Sequence, residues 1–169
     1  MDFMVLDWIQ NNLRCDFLDT VVPWITRLGD AGMFWILLAL VMLVIPKTRK
    51  AGAVLAVSLI IEYVLCNLML KPLVGRIRPY DVKGITELLV EKPGGFSFPS
   101  GHAGASFAAV GALFFSKNRL CAPATVLAAL IAFSRLYLYV HYPTDVLAGI
   151  ALGMLSGYVG AYLLRRLSR

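Results

Sequence analysis

The chain of 169 residues holds two histidines, and the groups around each are those of phosphoryl chemistry. His102 closes the tetrapeptide Pro99-Ser100-Gly101-His102. Ser100 is a natural helix N-cap, and the free N–H groups of a first helical turn, with Gly101 allowing close approach, make a seat for an anion. An imidazole in that turn can pass a proton to a departing oxygen. At ordinary residue usage the tetrapeptide arises by accident in roughly one such chain per thousand, so it is read as a site. His141 stands six positions after Arg135 and four before Asp145. Pro143 suits the first turn of a helix, which puts Asp145 in that turn. Its carboxylate can hold one imidazole nitrogen and leave the other as nucleophile. Lys71, Arg76 and Arg78 lie between and beside Pro72 and Pro79, a concentration of cations that can trap an anion. Arg pairs two oxygens through its planar fork, and Lys acts as a point charge. Each of these cations taken singly is equally explained by snorkelling or by contact with lipid head groups.

The elements that must position these groups follow from composition. Hydrophobic residues make up 59% of the chain and charged residues 15%, against roughly 45–50% and about 25% in soluble domains. The sequence therefore predicts an all-α integral membrane bundle forming a single domain over 1–169. Three cysteines without a Cys-x-x-Cys spacing and two histidines give no zinc or disulfide framework, and no metal or cofactor is expected. The net charge of +6 is spread in short clusters between apolar runs, which speaks for membrane topology and against nucleic acid. Those runs are 31–45, 51–70, 101–115, 120–140 and 146–164, read as five spans. Residues 1–28 form an interfacial segment, with Leu6, Ile9, Leu13 and Phe17 opposite Asp7, Gln10, Asn11 and Arg14 as on an amphipathic helix; a sixth span is possible there. The N-terminus lacks the basic stretch of a signal peptide, so no cleavage is expected. Residues 71–99 read as a long functional loop. Gly149, Gly153 and Gly157 make a small-residue stripe of the kind that packs helices closely.

Threading five spans puts Lys47, Arg49, Lys50, Lys117, Arg119, Arg165, Arg166 and Arg169 on one side with no acidic residue. That side is cytoplasmic by the positive-inside rule, so the 71–99 loop and the turn around His141 face outward from the plasma membrane. Arg135 lies inside an apolar run, where a charge costs several kcal/mol unless it meets a partner, and its position calls for an anion.

Taken in order, Lys-x6-Arg-Pro (Lys71, Arg78, Pro79), Pro-Ser-Gly-His (99–102) and Ser-Arg-x5-His-x3-Asp (134–145) resemble the signature of the type 2 phosphatidic acid phosphatase superfamily, the lipid phosphate phosphatases, related to glucose-6-phosphatase and vanadium haloperoxidases. All three motifs match without substitution. The resemblance implies a phosphohistidine on His141, an acid and then base role for His102, and no metal. Many membrane members have six spans. On this reading Asp145 orients His141, while Lys71, Arg78, Arg135 and the Ser100 and Gly101 N–H groups hold the phosphoryl oxygens. The substrate is then a membrane lipid phosphate or diphosphate, with undecaprenyl diphosphate favoured and phosphatidic acid or phosphatidylglycerophosphate as alternatives. An anionic lipid transporter or binding protein, or a small structural subunit, would need neither the nucleophile pair nor the acid.

Overall fold

In the computed structural model, which describes residues 1–167, the regular elements are all helical. The chain opens with α1 (Asp2–Asn12) and α2 (Asp16–Arg27), passes a 3-10 turn at Asp30–Gly32 and continues as α3 (Met33–Val44) and α4 (Arg49–Tyr63). A π-helical stretch, Val64–Leu70, leads into α5 (Lys71–Val74) and α6 (Pro79–Lys83), followed by α7 (Gly101–Phe115), α8 (Cys121–Tyr137) and α9 (Pro143–Leu167). By length and composition the Arg49–Lys83 stretch and α9 can cross a membrane, and Asp16–Arg27 with Asp30–Val44 can do so as one span bent by 42°. α7 and α8 are shorter apolar helices, about 22 and 25 Å long at 1.5 Å per residue, and alone fall short of a ~30 Å hydrocarbon core.

α7 forms the centre. Alanine and glycine fill most of its buried positions, among them Ala105, Ala108, Ala109, Gly111 and Ala112, and small side chains let neighbouring backbones approach. The glycine stripe of α9 lies directly on it: a Cβ at Gly157 would stand 2.6 Å from the backbone of Gly111. On another side Trp35 of α3 is fully buried and donates its indole N–H to Ser106 Oγ at 3.0 Å. Aliphatic residues of α3, α4 and α8, including Met42, Leu55 and Ile131, complete this core.

A second apolar cluster caps the end of the bundle where the histidines lie, and here two sequence expectations need correction. The amphipathic helix expected within the 1–28 segment is broken at residues 13–15, where Cys15 is extended. Leu6 and Ile9 are buried against protein, packing on Tyr80, Tyr137–Val140 and Tyr142, whereas Phe17 of the same supposed stripe is 72% exposed. α1 is thus a cap on the α8–α9 turn. The 71–99 segment is also less of a loop than its prolines suggest, because Lys71 stands on the helical extension of α4 and Pro79 opens α6.

Candidate active site

The Arg-x5-His spacing is the geometry of a helix ending. α8 stops at Tyr137, and Tyr139 takes a left-handed φ of 59°, a conformation that turns the chain back over the last helical turn. The N–H groups of Val140 and His141 then both donate to the Arg135 carbonyl, at 3.2 and 3.3 Å. His141 is thereby folded back beside the helix that carries Arg135. Its ring is 2% exposed, and burial pushes its pKa below the ordinary histidine range, keeping the imidazole neutral with a lone pair to offer.

The two ring nitrogens of His141 face different partners. Nδ1 lies 3.4 Å from Asp145 Oδ2, longer than a formed hydrogen bond. Nε2 lies 3.3 Å from Arg78 Nη1. Arg78 is buried and also donates to the Val140, Gly95 and Gly94 carbonyls, at 2.9, 3.0 and 3.1 Å. It ties Gly94 and Gly95 to the His141 turn. Arg135, 3% exposed, donates Nη1 to Thr26 Oγ1 of α2, and its buried Nε has no partner. The partner that Arg135 finds is a hydroxyl, so its charge is left for something else.

His102 stands in the first turn of α7, with Nε2 3.0 Å from Asp30 Oδ1. The ring is pressed on the backbone of Gly29, where a Cβ would come within 2.6 Å of His102 Cδ2. Ser100 needs a correction. Its N–H donates to the Asp145 carbonyl at 3.0 Å and is not free for a ligand, and its hydroxyl caps nothing but lies buried without a partner. Gly101 keeps its place at the helix start, packed beside Lys71 Nζ, which donates to Asn67 Oδ1 at 2.8 Å.

Lys71, Arg78, Gly101, His102, Arg135 and His141 all border one cavity of about 610 Å³. Its far wall is apolar, with Ile36, Leu40 and Leu43 of α3 facing Leu59 and Ile60 of α4. Glu62, the acidic residue of the second apolar run, borders it from α4 and is 2% exposed. Arg76 does not border the cavity, although it belongs to the same basic cluster. It pairs instead with Asp145, Nη1 to Oδ1 at 2.6 Å, and with Asp2, Nη2 to Oδ2 at 2.7 Å. Ser97 Oγ and the Tyr142 N–H complete the shell of Asp145 on Oδ2. The sequence reading passed over Asp2, Thr26, Asp30 and Ser97.

Comparison with known proteins gives this arrangement a context. Undecaprenyl-diphosphatase of Sulfolobus acidocaldarius is 38% identical over 120 residues, 70% of this chain and 58% of its own length. Lipid A 4'-phosphatase of Bacteroides thetaiotaomicron is 36% identical over 124 residues, 68% of this chain and 55% of its own. The chain thus spans a little over half the length of these curated relatives. Among solved structures, the transmembrane PAP2 type phosphatidylglycerolphosphate phosphatase from Bacillus subtilis superposes with a TM-score of 0.79 at 27% identity, covering 99% of this chain and 86% of that one. Residues 51–169 match the PAP2 superfamily as a whole, a stretch that contains all three motifs and both histidines. This chain belongs to the PAP2 superfamily.

Proposed function

We propose that this protein is a membrane phosphatase for lipid phosphates or diphosphates that works through a phosphohistidine. One observation carries the reading: a cavity with Lys71, Arg78, Arg135 and two imidazoles at one end and an aliphatic wall at the other. The charged end suits a phosphoryl group and the wall suits the first carbons of a lipid chain. His141 Nε2 attacks phosphorus in line while Asp145 receives the Nδ1 proton's hydrogen bond. Lys71, Arg78, Arg135, the Gly101 N–H and the Ser100 hydroxyl hold the equatorial oxygens, where charge develops during transfer. His102 protonates the departing oxygen, then takes a proton from the water that cleaves the phosphohistidine. Three fixed cations do here what a divalent metal does in other phosphatases, so the reaction is expected to run without one.

Within lipid phosphates we favour undecaprenyl diphosphate, because an undecaprenyl-diphosphatase is among the similar relatives and because the charge distribution supports a site on the extracytoplasmic side of the plasma membrane. Phosphatidylglycerophosphate is the alternative, supported by the structural likeness to the Bacillus subtilis phosphatase. The whole of 1–169 acts as one phosphatase domain on this reading.

The test is phosphate release by the purified protein in detergent from undecaprenyl diphosphate, phosphatidylglycerophosphate and phosphatidic acid, with and without EDTA. Release is expected from all three, fastest from the diphosphate and indifferent to EDTA, and lost in His141→Ala. Retention of turnover by His141→Ala, or its restoration by Mg²⁺ after chelation, would overturn the mechanism. Binding of these lipids without release would make the protein a lipid carrier.

A further inference from the structure

Asp145 faces His141 with one oxygen and leads away from it with the other. Its Oδ1 accepts Arg76 Nη1 at 2.6 Å, and the same guanidinium reaches Asp2 Oδ2 of α1 through Nη2 at 2.7 Å. Thr144, the residue before Asp145, donates its hydroxyl to Asp2 Oδ2 at 2.7 Å and accepts from Arg76 Nη1 at 2.7 Å. The guanidinium carbon lies 3.8 Å from the centre of the Tyr142 ring, and Phe3 of α1 meets that ring edge-on at 5.3 Å. Three separate parts of the chain, α1, the 75–78 segment and the first turn of α9, therefore converge on one planar group. The cations divide by role: Arg78 and Arg135 stand on the cavity side of His141, while both Nη atoms of Arg76 are committed to carboxylates on the far side.

We propose that Arg76 is a positioning residue for the His141–Asp145 pair and that Asp2 anchors it, making α1 a clasp on the nucleophile's carboxylate. The inference rests on the reading of His141 as nucleophile. A fully buried carboxylate needs charge-assisted partners, and Asp145 has one cation fixed on its outer oxygen by a second carboxylate. With Arg76 gone, Ser97 and Tyr142 still hold Oδ2, so Asp145 stays in place but no longer in one orientation. Asp2 acts only through Arg76.

The experiment measures steady-state phosphate release from a short-chain phosphatidic acid by the full chain in detergent, with a thermal melt of each variant. Loss of an orienting contact of this kind costs roughly 10–100-fold. Arg76→Gln is expected to lower kcat about 100-fold with KM within about threefold, and Arg76→Lys, which keeps a charge on Asp145, to recover about tenfold of that. Asp2→Asn is expected to lower kcat about tenfold alone and to add nothing in the Arg76→Gln background, the mark of two residues acting as one unit. Wild-type kcat in Arg76→Gln overturns the proposal. So does a raised KM at unchanged kcat, which would make Arg76 a phosphate contact, and so do losses that multiply in the double variant. If Arg76→Gln does not fold, Asp2→Asn decides alone: a lower kcat at unchanged KM supports the clasp, and an unchanged kcat removes it. An inactive wild type or an active His141→Ala strikes the nucleophile reading itself. An active wild type with a dead His141→Ala and an indifferent Asp2→Asn strikes the clasp only.

Discussion

His102 and His141 each have a carboxylate of their own, but the two pairs are built differently. Asp145 is four residues from His141, in the next turn of chain, and is completely buried. Asp30 is 72 residues from His102 and more than half exposed, at the bend between α2 and α3. If His102 serves as acid and then base, Asp30 holds one ring nitrogen and so selects which one exchanges a proton with the substrate. Asp30→Asn keeps an acceptor but no charge, and is expected to slow turnover about tenfold, in the range of other orienting contacts, while His102→Ala abolishes it. Measured phosphate release in Asp30→Asn equal to wild type would leave the contact as surface packing. Why one pair was legible in the sequence and the other not has a plain cause. His141, Asp145 and Arg135 are joined by the local rules of a helix end and a helix start, which act over a few residues. Asp30 on His102, Thr26 on Arg135 across 109 positions and Asp2 on Arg76 exist only once the bundle has formed. Arg76 is the instructive case. By type and spacing it is one more cation of the Lys71–Arg78 cluster, and only the fold sends it to the back of the site.

The helices themselves were largely legible, because apolar runs of this length in so apolar a chain leave the backbone no other way to pair its polar groups. The boundaries of α7 and α8 and the start of α9 at Pro143 fall close to where composition changes. The break of α1 from α2 was not legible: Leu6, Ile9, Leu13 and Phe17 keep helical spacing across it, and what ends α1 is its docking on the α8–α9 turn through Leu6 and Ile9. The glycine stripe packs helices, as its spacing predicts, and it can be tested as such. At Gly153 a Cβ would meet the amide nitrogen of Ala108 at 2.7 Å and the carbonyl carbon of Phe107 at 2.9 Å, backbone atoms of a central helix that cannot step aside. Gly94 has nothing within 4 Å of the same position. Gly153→Ala should therefore cost about 1–3 kcal/mol by overpacking, and Gly94→Ala close to nothing. In detergent melts the first is expected several degrees below wild type and the second at the wild-type temperature. Equal melting points would mean that α7 and α9 are not in backbone contact.

At the scale of the whole molecule the charges separate by end. Lys117, Asn118 and Arg165 gather at one end, where Arg165 also donates to the Phe115 carbonyl; Arg169, counted with them in the sequence, lies outside the described residues. At the other end Asp2, Asp7 and Asp19 pair with Arg76, Lys83 and Arg14, and Asp30 meets His102, so acidic residues accompany the cations there. Lysine and arginine in short turns beside a span resist translocation, and on the proposed reading the turns that carry them here lie at the cytoplasmic face. The proposed site belongs to the opposite end, so on the same reading it acts on lipid in the outer leaflet. The prediction is one of access. With Cys15, Cys66 and Cys121 replaced, a single cysteine at the exposed Val82 of α6 should react with an impermeant thiol reagent added to intact cells, and one at Asn118 only after lysis. How many times the first 45 residues cross makes no difference, since α4, α7, α8 and α9 fix residues 82 and 118 at opposite ends whatever precedes them. Labelling at Asn118 and protection at Val82 would turn the molecule over. The same geometry would then serve a lipid phosphate of the inner leaflet, and phosphatidic acid would become the substrate to test first.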